Sequence, residues 1–127
     1  MYQKKEMNAG LEEFRSVPNA LLVDVRNPSE YDGGHIPGSC NFALSRILKE
    51  AEEEFSDKSV PLYVYCQSGA RSARAGKLLD LMGYEHVVDL GGIASYNGPK
   101  GRRGCYNIGV LRPLSQKSNR FLILFSN

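Results

Sequence analysis

Three short stretches, Leu21-Leu22-Val23-Asp24-Val25, Leu62-Tyr63-Val64-Tyr65 and Val87-Val88-Asp89-Leu90, are apolar almost throughout instead of alternating with polar residues. Such runs suit strands covered on both faces, as in a parallel sheet. Ser39-Cys40-Asn41-Phe42 reads as a shorter strand, and Tyr2 to Lys5 as an edge strand. Between these runs the period changes to that of amphipathic helices. Asn8 is placed to cap a helix with Leu11 and Phe14 on one face, and Ser45 to cap another. In the second, Leu48, Ala51 and Phe55 should face inward and Glu52, Glu53 and Glu54 outward. Further on, Ala75, Leu78, Leu79 and Met82 recur at helical spacing, and Gly83 is placed to end that helix. Asn27-Pro28-Ser29-Glu30-Tyr31 is a short helical turn: Asn27 caps, Pro28 suits the first position, and Glu30 can reach back to the cap. The β-α-β-α order predicts an α/β domain with helices on both faces of the sheet.

The chemistry concentrates where the second run ends. Cys66-Gln67-Ser68-Gly69-Ala70-Arg71 follows the strand and precedes the helical stretch from Ser72 onward. A helix start leaves backbone N–H groups unpaired and carries partial positive charge, so it favours an anion such as a thiolate. Gly69 gives the backbone freedom to curl successive amides around one point. Arg71 adds a full positive charge at the closing end. A cysteine that merely packs in the core does not require this company, so Cys66 reads as a nucleophile.

Composition narrows the setting. The 127 residues suffice for one core. No run of about 18 apolar residues is present, so no membrane span is expected. The N-terminal Met1-Tyr2-Gln3-Lys4-Lys5-Glu6 lacks the apolar stretch of a signal peptide. Three cysteines, Cys40, Cys66 and Cys105, lack CxxC spacing, which argues against a disulfide framework or a zinc site and makes a reducing cytoplasm the default. The net charge of +2 conceals an asymmetry: residues 1–97 carry ten Lys/Arg and all fourteen Asp/Glu, whereas residues 98–127 carry six Lys/Arg and no acid.

The motifs taken in order resemble a single-domain rhodanese. Leu22-Val23-Asp24-Val25-Arg26, Asn27-Pro28-Ser29-Glu30-Tyr31, Gly34-His35-Ile36-Pro37-Gly38-Ser39, Cys66 to Ser72, and Leu90-Gly91-Gly92-Ile93 carry the resemblance over roughly residues 2–98. It implies a five-stranded parallel sheet flanked by helices, with the cysteine loop at the carboxyl edge where open α/β sheets place ligands. It also implies sulfur transfer. Cys66 would take sulfane sulfur from thiosulfate or another persulfide donor and pass it to a thiophilic acceptor, cyanide in an assay and a small-molecule or protein thiol in a cell. Amides of Gln67, Ser68, Gly69, Ala70 and Ser72 would cradle the sulfur, with Arg71 closing the ring. No cofactor or metal is needed, and no nucleic-acid or membrane partner is expected.

Two other functions use related parts. A cysteine-dependent phosphatase or arsenate reductase has a Cys…Arg loop at a helix start, with five intervening residues where this chain has four, Gln67 to Ala70. A smaller ring matches one sulfur atom better than a tetrahedral phosphate. A non-catalytic binding module would keep the fold and present the loop to a protein; the presence of Cys66, Gly69 and Arg71 gives no sign of lost chemistry.

Supporting roles fall to Asp24, Arg26 and His35. Asp24, in an apolar strand, needs partners such as Arg26 or backbone amides, a structural role in preference to a general base. His35 reads as a hydrogen-bonded turn residue, His86 as a loop histidine, Cys40 as core packing, and Arg74 as solvated helix surface. A resolving role for Cys40 would need proximity to Cys66. Tyr96 stands where the resemblance places an aromatic after the double glycine, packing or lining the pocket mouth. The domain is expected over residues 1–98. Residues 99–127, ending in Phe121-Leu122-Ile123-Leu124-Phe125, form a basic tail matching nothing recognised. Frame-shifted or vector-derived sequence, a strand or lid on the domain, and a partner-binding tail stay open for it.

Overall fold

Tyr2–Lys4 (β1), Leu21–Asp24 (β2), Cys40–Asn41 (β3), Leu62–Cys66 (β4) and Val87–Gly92 (β5) pair in parallel in the order β1-β5-β4-β2-β3. The structure is a computed structural model; it describes residues 1–102, together with the backbone of 105–107 and 112–114. The helices are Met7–Ser16 (α1), Pro28–Asp32 (α2), Ile47–Glu54 (α3) and Ala70–Leu81 (α4). The expected five-stranded parallel sheet with helices on both faces is present.

The uninterrupted apolar runs are explained by the two covered faces. Along β4, Leu62, Val64 and Cys66 join Ile47, Ala51, Ala75 and Leu79 on the side of α3 and α4. Tyr63 and Tyr65 point the other way and pack with Met7, Leu11 and Phe14 of α1 and with Ile36. Strand side chains alternate between faces, so a strand buried on both needs apolar residues at every position. The sequence element is the run, and the structural result is a central strand, β4, buried along its whole length.

Two caps differ from expectation. Asn8 does not cap α1; Glu6 does, its carboxylate accepting from the amides of Asn8 and Ala9 at 3.0 and 2.9 Å. Those bonds hold the Glu6 carboxyl below its usual range. Asn8 instead ties the start of α1 to the turn after β5, donating to Ser95 O at 2.9 Å and accepting from Asn97 N at 3.0 Å. The second helix does not begin at Ser45. A 3-10 turn over Leu44–Arg46 precedes α3, and Ile47, Ala51 and Phe55 face inward while Leu48 is 68% exposed. The inward residues are four apart, and Leu48 lies about 100° around the helix from Ile47.

Beyond residue 98 the chain returns to the domain. The amide and carbonyl of Gly101 bond the carbonyl and amide of His35 at 2.8 and 3.0 Å. Cys105–Asn107 (β6) and Arg112–Leu114 (β7) form an antiparallel pair. The apolar end Phe121 to Phe125 lies outside the described residues. No described helix is long and apolar enough to cross a membrane.

The base of α3 is fastened from behind by one hydroxyl. Tyr84 is 1% exposed, and its OH lies 2.6 Å from Phe55 O and 3.0 Å from Ala51 O, carbonyls at the helix's C-terminal end. Tyr84→Phe should therefore lower stability by about 1–2 kcal/mol, since the Phe55 carbonyl loses its hydroxyl donor while the Ala51 carbonyl keeps the Phe55 amide. Urea unfolding of the two proteins checks this; an unchanged midpoint would mean that water replaces the hydroxyl.

Candidate active site

A register shift between Val64 and Cys66 ends the regular pairing of β4 and brings Cys66 opposite Gly92 of β5. The chain then turns through Gln67 and Ser68, and Gly69, at φ 112°, directs it into α4. That left-handed backbone is readily open only to glycine. The turn brings the Gly69 amide to 3.0 Å from Cys66 Sγ, on which it donates. The thiol is free and 1% exposed, whereas Gln67, Ser68 and Ala70 around it are exposed. Ser72, fully buried, donates from its hydroxyl to Gly69 O at 3.1 Å and lies 3.4 Å from Gly91 O. The cysteine loop is thus fastened to both the helix it starts and the strand beside it.

The double glycine makes that closeness available. A Cβ on Gly92 would stand 2.4 Å from Gln67 O and 2.8 Å from Ser68 Cα, both fixed by backbone. Before it, Asp89 is 1% exposed; its Oδ1 accepts from Gly91 N at 2.9 Å and its Oδ2 from the Tyr2 hydroxyl at 2.7 Å.

On the other flank, Asp24 ends β2 with the same two-residue return, its Oδ1 accepting from Arg26 N at 2.9 Å. The Arg26 guanidinium lies along this carboxylate, with Nε at 3.1 and 3.0 Å from its two oxygens and Nη2 at 2.8 Å from Oδ2. Asp24 is 0% exposed and Arg26 4%. The remaining guanidinium N–H groups reach Gln67 Oε1 at 3.2 Å and Gly34 O at 2.9 Å. Arg26 is therefore a strut between the strand end, the cysteine loop and the Gly34 turn. Burial pulls its pKa down, and the Asp24 carboxylate, followed by Tyr65 and Glu30, more than restores it, so the net direction is upward.

Arg71, on the first turn of α4, is gripped by Glu30 of α2. Nη1 donates to Oε1 at 2.7 Å and Nη2 to Oε2 at 3.0 Å. Glu30 also accepts from Asn27 N at 2.9 Å. The Arg71 hydrogen bonds, followed by those from Asn27 and the Arg71 charge, hold the Glu30 carboxyl at about 2 against burial. Arg71 is shifted upward, chiefly by Glu30, with Cys66 and Asp24 adding smaller contributions.

His35 is 2% exposed and belongs to the wall of the Gly34 turn. Its ring stacks on Tyr31 at 3.6 Å, and Nδ1 lies 2.9 Å from Tyr31 O. Tyr65 holds the same turn from beneath, its hydroxyl accepting from Ile36 N at 3.1 Å and bonding Ser39 Oγ at 2.9 Å. Tyr31 bonds Ser39 O from the other side. Arg74 is exposed one helical turn beyond Arg71. Cys40 is buried as expected but disulfide-bonded, so it is not joined to the free Cys66. An odd cysteine count excludes only the pairing of all three. The side chain of Cys105 lies outside the described residues.

Sequence reasoning missed three contributors. In the sequence Glu30 shows only as a capping side chain, because nothing local links it to an arginine 41 positions away. Tyr65 gave no signal beyond being apolar and in a strand. Asp89 did leave one: Asp89-Leu90-Gly91 repeats the spacing of Asp24-Val25-Arg26 on the strand flanking β4 from the opposite side.

The family model for the rhodanese-like domain matches residues 4–98. The uncharacterized protein YqhL of Bacillus subtilis is 40% identical over 101 residues, covering 77% of this chain and 79% of its own length. The thiosulfate sulfurtransferase PspE of Escherichia coli is 35% identical over 78 residues, 61% of this chain and 75% of that protein. Among solved structures, a rhodanese with anions from E. coli superposes with a TM-score of 0.60 at 33% identity, covering 67% of this chain and 99% of that one.

Two variants probe the site's construction. Gly92→Ala should cost about 1–3 kcal/mol, because the colliding atoms are backbone and must move. It should also change the rate at which iodoacetamide alkylates Cys66, and an unchanged rate and stability would show that the loop yields freely. Glu30→Gln should flatten part of the acid limb of stability. The folded Glu30 carboxyl lies near 2 against a usual 4.5. Its pairing therefore stabilises the protein above about pH 4.5, and that stabilisation is lost as the pH falls toward 2. With Arg71 and Glu30 32% and 31% exposed, the contribution is about 1 kcal/mol. Urea midpoints between pH 7 and pH 3 measure it; parallel curves for both proteins would refute it.

Proposed function

The chain belongs to the rhodanese-like domain family, and on that premise we propose that it is a sulfurtransferase working through a persulfide on Cys66. The observation that carries this reading is the free Cys66 thiol at the strand–helix junction, with the Gly69 amide 3.0 Å from its sulfur.

The reaction divides into two exchanges at sulfur. In the first, the Cys66 thiolate attacks the sulfane sulfur of a donor such as thiosulfate. A bond forms between the two sulfurs, the bond to the sulfonate sulfur breaks, and sulfite leaves with the electron pair. In the second, a thiolate or cyanide attacks the outer sulfur, and the Cys66 thiolate departs with the electrons. Both steps balance without an external oxidant and together make a ping-pong cycle.

The surroundings suit these exchanges. Sγ sits below the rim, and a persulfide extends the reactive atom by about 2 Å toward the mouth, where an acceptor can reach it. The Gly69 N–H is already aimed at the sulfur that is charged before attack and again on departure. A preorganised donor of this kind contributes up to about 3–4 kcal/mol where charge develops. Arg26 keeps Gln67 in place without touching the sulfur. Arg71 supplies positive potential at the entry of the helix, moderated by Glu30.

The test is the mass of the intact protein before and after incubation with thiosulfate, with peptide mapping. One additional sulfur atom on Cys66, removed by cyanide and absent from Cys66→Ala, is the expected result. No adduct from thiosulfate or from an organic polysulfide would defeat the reading and favour a binding module. Arg71→Ala should keep the fold, as the side chain is only half-buried. Its turnover with thiosulfate should fall about tenfold to a hundredfold, because Glu30 is left as an uncompensated anion beside the path of a dianion. Unchanged kinetics would remove Arg71 from the mechanism.

A further inference from the structure

The arginine closest in sequence to the cysteine loop is already paired with another residue. Both Arg71 terminal nitrogens are held by the two Glu30 oxygens, a fork-to-fork geometry that uses the donors an oxyanion would want. The other nearby guanidinium, Arg26, is matched by Asp24 through Nε and Nη2. Gln67, Ser68 and Ala70 at the rim are uncharged. Each of these two cations is thus matched by a carboxylate, and the Gly69 N–H is the dipole aimed at the sulfur itself. A small dianion approaching Arg71 must displace Glu30 or share the guanidinium with it.

We propose that Glu30 determines donor specificity by occupying Arg71, so that the site discriminates against small dianions such as thiosulfate and favours organic persulfides and polysulfides. The inference rests on the sulfurtransferase reading and deepens it. Glu30 is a positioning residue: it acts through Arg71 and touches no reacting atom. The 31% exposure of its side chain leaves it displaceable, so thiosulfate is disfavoured rather than excluded. Displacement, not protonation, is the route, because the carboxyl is held at about 2 and remains ionised near neutrality. Discrimination of this kind comes from a competing internal charge as much as from any attraction to the favoured donor.

Glu30→Gln tests it. The substituted side chain retains an oxygen for the Asn27 amide but no longer presents two acceptors and a charge to Arg71. Sulfite, the product dianion, is titrated calorimetrically into the resting protein. Steady-state kinetics with cyanide as acceptor are compared for thiosulfate and for diallyl trisulfide, an uncharged sulfane donor. The variant is expected to bind sulfite about tenfold more tightly and to show about a tenfold lower KM for thiosulfate, with kcat and both trisulfide parameters within about twofold of the parent. Sulfite affinity that is unchanged or weaker overturns the proposal. So does a parallel fall with both donors, which would mark Glu30 as purely structural. If neither donor leaves sulfur on Cys66, the sulfurtransferase reading itself fails, and the sulfite titration still decides whether Glu30 withholds Arg71 from anions.

Discussion

The buried pair of Asp24 and Arg26 is the constraint on which the rest of the site depends. Taking two charges out of water costs several kcal/mol each, and their attraction recovers this only when other hydrogen bonds complete the arrangement. Here they do. The Asp24 carboxylate receives the Arg26 amide and three guanidinium contacts, while Asn41 donates to the carbonyls of Asp24 and Arg26 at 3.0 and 2.9 Å. A well-packed apolar pair could be as stable, but it could not donate to Gln67 and Gly34. The charge is retained for direction: it fixes the cysteine loop and the His35 turn relative to the end of β2.

Cysteine position is consequently set by the neighbouring strands as much as by its own loop. β4 lies between β2 and β5, and each flanking strand carries an aspartate, Asp24 at the end of β2 and Asp89 within β5, that accepts from the amide two residues on. One return carries the arginine strut; the other leads into Gly92, which lets β5 close to within backbone contact of Gln67. The loop is clasped from two sides before any ligand arrives. That preorganisation suits the proposed sulfur exchange, because an amide already aimed at Sγ need not reorient as charge moves on and off the sulfur.

Much of this was legible in the chain. The continuous apolar runs predicted a doubly covered parallel sheet because a strand buried on both faces leaves no polar position, and the structure has that sheet. The site's centre was legible for a local reason: strand, cysteine, glycine and helix start are consecutive, so their geometry is dictated by short-range backbone rules. What escaped is non-local or marginal. Ser45 and Asn8 resemble caps, but a 3-10 turn and a nearby glutamate claim the helix starts. The Glu30–Arg71 grip depends on how α2 is carried over the loop, which no spacing encodes.

That grip changes how the positive charge at the loop should be understood. A free arginine at the mouth would draw in thiosulfate, but it would hold sulfite equally well, and binding ground state, product and transition state alike does not raise turnover. An arginine already matched by a carboxylate contributes a weak, steady potential, while the Gly69 N–H, 3.0 Å from Sγ, acts on the sulfur itself. The division of labour follows from distance and dielectric. The dipole lies against the reacting atom in a buried setting, and the ion pair sits about one-third exposed, where water screens it. On the proposed sulfurtransferase reading, stabilisation of the sulfur falls to the loop amide and donor choice to the Arg71–Glu30 pair between α4 and α2, so a substitution at Glu30 alters the second without dismantling the first.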